Sequence, residues 1–148
     1  MILINKNTRV LVLGITGKSG SLQTKAMLDA GTNIVAGVTP GKGGMQVHGV
    51  PVYDFVSDAA KKHSFDAAIS FVPARSLRQS CFETIDQGVK LLVVTTENLS
   101  LHDAVEILAY AKSKGCRVVG PGCAGLISPG ACKLGSHPVR FFRPGRVE

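Results

Sequence analysis

A glycine-rich turn near the amino terminus carries the residue types that bind phosphate. Glycines recur at every third position in Gly14-Ile15-Thr16-Gly17-Lys18-Ser19-Gly20, directly after the apolar run Arg9–Leu13. Glycines at such a turn let the backbone approach a phosphate closely, and the amino terminus of a following helix directs N–H groups at it. Thr16 and Ser19 add hydroxyl donors, and Lys18 adds charge. The segment predicts a phosphate-binding loop; a glycine turn without a ligand is the alternative interpretation.

A nicotinamide dinucleotide requires features that this turn does not show. In the dinucleotide fingerprint G-x-G-x-x-G the middle glycine follows the first glycine by two positions, whereas Gly17 follows Gly14 by three. The fingerprint also requires an acidic residue for the ribose about 20 residues later. Here the second apolar run ends in Gly37-Val38-Thr39-Pro40, without an acid. The sequence therefore disfavours NAD, and a small NAD(P)-binding oxidoreductase domain is kept only as a third hypothesis.

The other apolar runs also end in glycine, proline or small polar residues, and ligands of open α/β sheets bind beyond such strand ends. Lys42 can reach a phosphate as a point charge, or it is a solvent-exposed lysine of a flexible loop, which is the favoured interpretation when this segment is taken alone. Glu97 can accept hydrogen bonds from an adenine, a ribose or a pantetheine amide, or it can cap the next helix. Cys123 is interpreted as a small buried residue rather than a nucleophile. The strand ends are Val38-Thr39-Pro40-Gly41-Lys42-Gly43-Gly44, Phe71-Val72-Pro73-Ala74, Thr95-Thr96-Glu97-Asn98 and Gly120-Pro121-Gly122-Cys123-Ala124-Gly125.

These loops are positioned by short β-branched runs that alternate with stretches of helical spacing. The pattern predicts an α/β fold, a Rossmann-like doubly wound parallel sheet of about five strands with helices on both faces. We expect Asp54 and Ser57 to cap the second helix and glycines to end three helices, at Gly31, Gly88 and Gly115. The predicted strands are Arg9–Leu13, Asn33–Val38, Ala67–Phe71, Leu91–Thr95 and Cys116–Val119; the predicted helices are Ser19–Ala30, Val56–His63, Ser76–Gln87 and Leu101–Lys114.

The pattern changes after Val119, where prolines and glycines accumulate. We predict one ligand-binding domain over residues 1–125 and a loop-rich tail or linker over residues 126–148, with room for one short hairpin, leading to a second domain. The adjacent Phe141 and Phe142 require burial, either against a partner or following domain or by folding back on this one.

The charge of the chain favours an anionic ligand. The formal net charge is +7 and the sequence pI is about 9.5, but no long basic run or aromatic-basic interleaving occurs. A phosphorylated small molecule therefore fits better than nucleic acid. The four cysteines form no C-x-x-C pair, the four histidines have no metal-ligand spacing, and neither a signal peptide nor a membrane-spanning run is visible. We expect a reduced, cytoplasmic protein.

The loops together resemble the amino-terminal domain of the succinyl-CoA synthetase α subunit, and the resemblance spans nearly the whole chain. Its most specific part is Gly37–Gly44. The other matching segments are Lys6-Asn7-Thr8, Gly14–Gly20, Gly49-Val50-Pro51-Val52, Val72-Pro73-Ala74, Thr96-Glu97, Gly120–Gly125 and Pro129-Gly130-Ala131-Cys132-Lys133.

This resemblance implies that the cofactor is coenzyme A. It assigns the nucleotide phosphates to the glycine loop and further CoA contacts to Lys42 and to the ends of the third and fourth strands. The cofactor-binding residues expected on this basis are Gly14, Thr16, Gly17, Lys18, Ser19, Gly20, Val38, Lys42, Val72, Pro73, Thr95, Thr96, Glu97 and Cys123.

The resemblance also implies a succinate–CoA ligase type of enzyme, which forms an acyl-CoA from an acid, CoA and a nucleoside triphosphate through a phosphohistidine. That histidine belongs to a second domain, so no catalytic residue is expected in this chain. The implied partners are a nucleotide-binding β subunit or a ligase domain. The alternative is a stand-alone CoA- or nucleotide-binding regulatory module.

Several positions depart from the family pattern near the expected pantetheine end. Gly122 and Ala124 replace an asparagine and a proline, Asn98 replaces a glycine, Ala131 replaces a glutamate, and Arg75 stands where a proline is common. The departures leave the adenine and phosphate interpretation intact. They leave open whether the acid is succinate, malate or another short acid, or whether the chain belongs to a lyase-type relative.

Overall fold

A seven-stranded sheet organises the computed structural model, which describes residues 3–145. The strands lie in the order β3–β4–β2–β1–β5–β6–β7, and neighbours pair in parallel except β3, which is antiparallel to β4. The chain builds outward from β1 to one edge and then returns to the other side of β1, so the switch point lies between β1 and β5. The strands are β1 (Arg9–Leu13), β2 (Asn33–Val38), β3 (Gln46–Val47), β4 (Val50–Tyr53), β5 (Ala67–Ser70), β6 (Leu91–Val94) and β7 (Arg117–Val119).

Four helices connect the strands, as predicted. Three of them end before glycines in the left-handed region, at Gly31, Gly88 and Gly115, with φ of 86°, 79° and 70°. A residue with a side chain is strained in that conformation, so these glycines confirm the predicted helix ends. The helices are α1 (Lys18–Asp29), α2 (Val56–Lys62), α3 (Ala74–Asp86) and α4 (Leu101–Ser113).

The predicted cap of α2 is wrong. Phe55 occupies the N-cap position of this helix, and no side chain there accepts a backbone hydrogen bond. The Asp54 carboxylate turns instead to the preceding loop, where its Oδ1 atom accepts the Gly43 N–H at 3.0 Å. Asp54 therefore orders the loop that contains Lys42 rather than the helix.

The sheet is covered on both faces, which confirms the doubly wound fold class. Val10 and Val12 of β1 belong to one buried cluster, while Leu11 and Leu13 belong to the cluster on the opposite face. Side chains alternate across a strand, so burial of all four requires packing on both sides. Helices α2, α3 and α4 contribute to one cluster, and α1 contributes Met27 to the other.

The sheet has two strands more than predicted. Strand β4 pairs in parallel with β2, with Val52 opposite Gly37, and β3 folds back on β4 as a short hairpin. Strand β4 has four residues and contains Pro51, and β3 has two. Their length and the proline make both strands poor matches to a sequence pattern, because proline is normally confined to strand edges and bulges.

A second hairpin, β8 (Gly125–Ser128) and β9 (Cys132–Gly135), packs on the α1 side of the sheet. Cys132 and Leu134 are 3% and 0% exposed and belong to the same buried cluster as Val10 and Val12. The hairpin is also tied to the end of α1, since Thr32 and Lys133 exchange two hydrogen bonds of 2.7 and 3.0 Å. The division of the chain at residue 125 stays a prediction, and it cuts through this hairpin.

The segment after the hairpin is largely exposed. Phe141 and Phe142 are 69% and 37% exposed, so neither is buried by folding back. The Phe142 ring contacts the His137 ring edge-on, with centroids 5.3 Å apart. Residues 146–148 of the predicted linker lie outside the described residues. None of the helices within residues 3–145 is both long and apolar enough to cross a membrane.

Candidate functional site

The glycine loop is fastened to the neighbouring strand at the carboxyl edge of the sheet. Gly14 has a φ of 75° and donates its N–H to the Val38 carbonyl at 2.8 Å. The Thr16 N–H points to the Thr39 hydroxyl at 3.3 Å. These contacts hold the loop against the end of β2, next to the switch point of the sheet.

The amino terminus of α1 has no protein partner for its first N–H groups. Gly17 is the N-cap residue and has no side chain to accept a hydrogen bond, and no acid lies in the first turn. Within the described part of the chain, the N–H groups of Lys18, Ser19 and Gly20 find no acceptor. In α4, by contrast, the Ser100 hydroxyl accepts the Asp103 N–H at 3.1 Å. Free N–H groups at the positive end of a helix form an anion-binding site, so α1 is suited to a phosphate.

A first cavity of about 350 Å³ lies beyond β1, β2 and β5, toward α2 and α3. Its walls are largely apolar, with Leu13, Val38, Val56 and Val72 among them. Polar groups come from the ends of β2 and β4 and from the first turns of α3; they include Thr39, Asp54, Arg75, Ser76 and Gln79. Apolar walls with a few polar groups suit a nucleobase and its ribose.

A second cavity of about 340 Å³ lies beyond β5, β6 and β7, toward α1 and the β8–β9 hairpin. Its lining is more polar, because most strand ends here present hydroxyl, carboxylate, thiol or backbone groups. The lining residues are Ser19, Gln23, Phe71, Thr95, Glu97, Gly122, Cys123, Ala124 and Ser136. This composition suits a flexible ligand part with amide groups.

The glycine loop and the end of β5 lie between the two cavities. Gly14 lines the first cavity and Ser19 lines the second. In the same way Val72 lines the first and its neighbour Phe71 the second. An elongated ligand that crosses the loop over the free N–H groups of α1 therefore contacts both cavities.

The predicted site residues fall into two groups. Eight line a cavity: Gly14, Val38, Val72 and Pro73 line the first, and Ser19, Thr95, Glu97 and Cys123 line the second. Six others line neither: Thr16, Gly17, Lys18, Gly20, Lys42 and Thr96. Most of these six belong to the loop between the cavities.

Two of the predicted site residues make contacts within the protein. The Thr96 hydroxyl donates to the Val72 carbonyl at 2.6 Å, so it braces the end of β5. Lys42 is exposed in a turn held by its own N–H, which donates to the Thr39 carbonyl at 3.1 Å. The lining residues that are absent from the prediction include Arg75 in the first cavity and Ser136 in the second.

The four cysteines differ in their access to reagents. Cys81, Cys116 and Cys132 are buried, and only Cys123 is partly exposed, in the second cavity. Burial disfavours the charged thiolate, and it raises the pKa of Cys81 to about 12 and the pKa of Cys116 and Cys132 above the ordinary value. The thiolate is the reactive form, so these three thiols react slowly for two reasons: reagents cannot reach them, and few of them are ionised.

We expect iodoacetamide at pH 8 to modify Cys123 first and to leave Cys81 unmodified while the protein is folded. At a pKa near 12, only roughly one thiol in ten thousand is ionised at this pH. Peptide mass spectrometry over a time course measures the order of labelling, and protein in denaturant, where all four cysteines react, is the control. Labelling of Cys81 before Cys123 would show that the cavity is closed or that the core opens readily.

Residues 5–98 match the family described as the CoA binding domain. A succinate–CoA ligase (ADP-forming) α subunit from Archaeoglobus fulgidus is 45% identical over 146 residues, which cover 99% of this chain and 51% of that protein. An ADP-forming sulfoacetate–CoA ligase subunit from an Acholeplasma species is 42% identical over 149 residues, covering 99% and 50%. The chain thus spans about half the length of the curated relatives it matches.

Among solved structures, ATP citrate lyase from Methanothrix soehngenii, in complex with citrate and coenzyme A, superimposes with a TM-score of 0.80. The identity is 22%, and the match covers 90% of this chain and 24% of that one, so it supports the fold alone. The family match confirms coenzyme A as the predicted cofactor and does not favour an NAD(P)-binding domain. The chain belongs to the CoA-binding domain family, and over 99% of its length it is similar to α subunits of succinate–CoA ligases.

Proposed function

We propose that this domain holds coenzyme A for a ligase that forms an acyl-CoA from a carboxylic acid, CoA and a nucleoside triphosphate. The observation that carries the proposal is the pair of cavities on either side of a glycine loop with unpartnered N–H groups. CoA has an adenosine 3′-phosphate at one end, a diphosphate in the middle and a thiol-bearing pantetheine arm at the other. Its sequence of apolar, anionic and amide-bearing parts fits this arrangement.

The diphosphate of CoA is assigned to the loop between the cavities. The N–H groups of Lys18, Ser19 and Gly20 have no other partner in the described chain, and the ammonium of Lys18 adds charge. A Cβ atom at Gly17 would lie 3.4 Å from the Gly14 carbonyl oxygen and meet nothing else within 4 Å. That empty space above the backbone lets a phosphate approach.

The adenosine is assigned to the first cavity and the pantetheine arm to the second. Val38, Val72 and Pro73 supply apolar surface for the adenine. Thr95, Glu97 and Cys123 line the second cavity, and we assign Thr95 and Glu97 to the pantetheine amides and Cys123 to the thiol end. Lys42 and Thr96 remain proposed contributors from the edge of the site, on the resemblance given above.

The domain positions the thiol of CoA and leaves the phosphoryl chemistry to other parts of the enzyme. None of the four histidines lines either cavity: His48 contacts Ser21, His63 contacts Tyr53, His102 contacts Glu106, and His137 lies beside Lys133. On the resemblance to the ligase family, we propose that the phosphohistidine belongs to a second domain and the nucleotide site to a β subunit. We propose a cytoplasmic location, which suits four free cysteines.

The acid is proposed only as a class. The two relatives described above are ligases for succinate and sulfoacetate, which are both small acids with a second anionic group. A small carboxylic acid of this type is therefore the proposed co-substrate. Gly122, Ala124 and Asn98 depart from the family pattern, and we propose that these positions affect which acid is used.

Calorimetric titration of the 148-residue chain with CoA and with NAD tests the proposal. We expect saturable binding of CoA at one site and no heat from NAD, because the ribose-binding acid of NAD domains is missing after β2. Asp54 lies in the first cavity but is bound to the Gly43 N–H. Binding of NAD as tight as that of CoA would contradict the proposal.

A further inference from the structure

Arg75 supplies the one basic side chain among the residues that line the two cavities. It is the second residue of α3 and follows directly on the apolar wall formed by Val72 and Pro73. Lys18 and Lys42, to which the sequence assigned the phosphates, line neither cavity. Resting on the proposed function, we infer that Arg75 binds the 3′-phosphate of CoA and makes the domain select CoA over dephospho-CoA.

Arg75 is free to take an external anion. Its side chain is exposed at the mouth of the first cavity and forms no ion pair with any carboxylate of residues 3–145. The other arginine of α3, Arg78, differs in this respect. It pairs with Glu106 and lies over the Phe82 ring at 4.6 Å.

The two carboxylates that line the same cavity have other partners. Asp54 accepts the Gly43 N–H at 3.0 Å, and Glu83 accepts a hydrogen bond from the Gln79 side-chain amide at 3.0 Å. Arg75 therefore keeps its charge available at the cavity mouth. A guanidinium presents its donors as a planar fork that fits two oxygens of one phosphate, and it stays charged at every physiological pH.

The chemistry of CoA decides which phosphate Arg75 meets. The 5′-diphosphate is attached to the pantetheine arm and must cross the glycine loop to reach the second cavity. The third phosphate is carried by the ribose itself, so it stays with the adenosine in the first cavity. The basic group that lines this cavity consequently faces the 3′-phosphate, and dephospho-CoA lacks that group.

Calorimetry of the full 148-residue chain with CoA and with dephospho-CoA tests this inference in three proteins: the parent, Arg75→Gln and Arg78→Gln. We expect the parent to prefer CoA, and Arg75→Gln to lose about tenfold to a hundredfold of CoA affinity with dephospho-CoA affinity unchanged. The loss should shrink with added salt, because exposed charges are screened. Arg78→Gln, on the same helix but outside the cavity, should retain the preference of the parent.

The outcomes separate this inference from the proposed function. If the parent binds CoA but Arg75→Gln keeps the same ratio of CoA to dephospho-CoA affinity, the inference is overturned and the proposed function stands. Equal losses for both ligands would place Arg75 on the diphosphate and also overturn it. Failure of the parent to bind CoA would overturn both. Thermal melting of each variant shows that the compared proteins are folded.

Discussion

Replacement of Gly20 by alanine is expected to destabilise the domain by roughly 3 kcal/mol and to abolish CoA binding. A Cβ atom at this position would lie 2.0 Å from the Gly14 carbonyl oxygen and 2.9 Å from the Gly14 carbonyl carbon. Both atoms belong to the backbone of the turn, which is fastened to β2 through the 2.8 Å hydrogen bond from Gly14 to Val38. The first turn of α1 must therefore move away from the loop.

The sign of the result is informative, because helix propensity acts in the opposite direction. Gly20 lies within α1, and alanine in a helix interior is more favourable than glycine by about 1 kcal/mol. Urea unfolding of parent and variant measures the difference in free energy of unfolding. A stabilised Gly20→Ala protein would show that α1 does not approach the Gly14 carbonyl as closely as the structure has it.

Gly17→Ala is the matched control from the same loop. Its Cβ atom would lie 3.4 Å from the Gly14 carbonyl oxygen, an ordinary contact, and its φ of −67° is open to any residue. We expect this variant to keep the stability of the parent while its affinity for CoA falls at least about tenfold, since the added methyl group occupies the approach of the phosphate. The pair thus separates the packing role of one glycine from the binding role of the other.

The sheet and the glycine loop could be predicted because their signals are local. Val10 to Leu13 form a continuous apolar run, as expected of a strand buried on both faces, and the turn after it changes abruptly to glycine. The same holds for the ends of β5 and β6, where Val72, Thr95 and Glu97 line the cavities. In each case the periodicity and the turn lie within about ten residues of chain.

The features that were missed depend on contacts between distant parts of the chain. Ser136 reaches the second cavity only because the β8–β9 hairpin folds back over α1, through hydrogen bonds between Thr32 and Lys133. Asp54 resembles a helix cap in sequence, yet its carboxylate is used by Gly43, eleven positions earlier. Arg75 shows no periodicity signal, and the role inferred for it depends on the cavity that the ends of β2, β4 and β5 form together beside α3.

Leu134→Ala is expected to lower the free energy of unfolding by about 2–5 kcal/mol, and this result bears on the extent of the domain. Leu134 is completely buried in the cluster that also contains Val10, Val12 and Met27. Truncation to alanine removes apolar contacts and leaves a cavity between the hairpin and the sheet. The hairpin would then be part of the CoA-binding domain, although the sequence pattern places it in a tail that begins at residue 126.

Leu22→Ala is the matched control, because the same atoms are deleted from a side chain that is 65% exposed on α1. Its effect should stay within about 0.5 kcal/mol, as is usual for surface positions. Urea unfolding followed by circular dichroism compares both variants with the parent. If Leu134→Ala costs no more than Leu22→Ala, the hairpin does not contribute to the core and the boundary at residue 125 is supported. If the free energy of unfolding falls strongly in Leu134→Ala and not in Leu22→Ala, the domain extends at least to Gly135. The reason is that side chains of β9 complete the buried cluster on the α1 face.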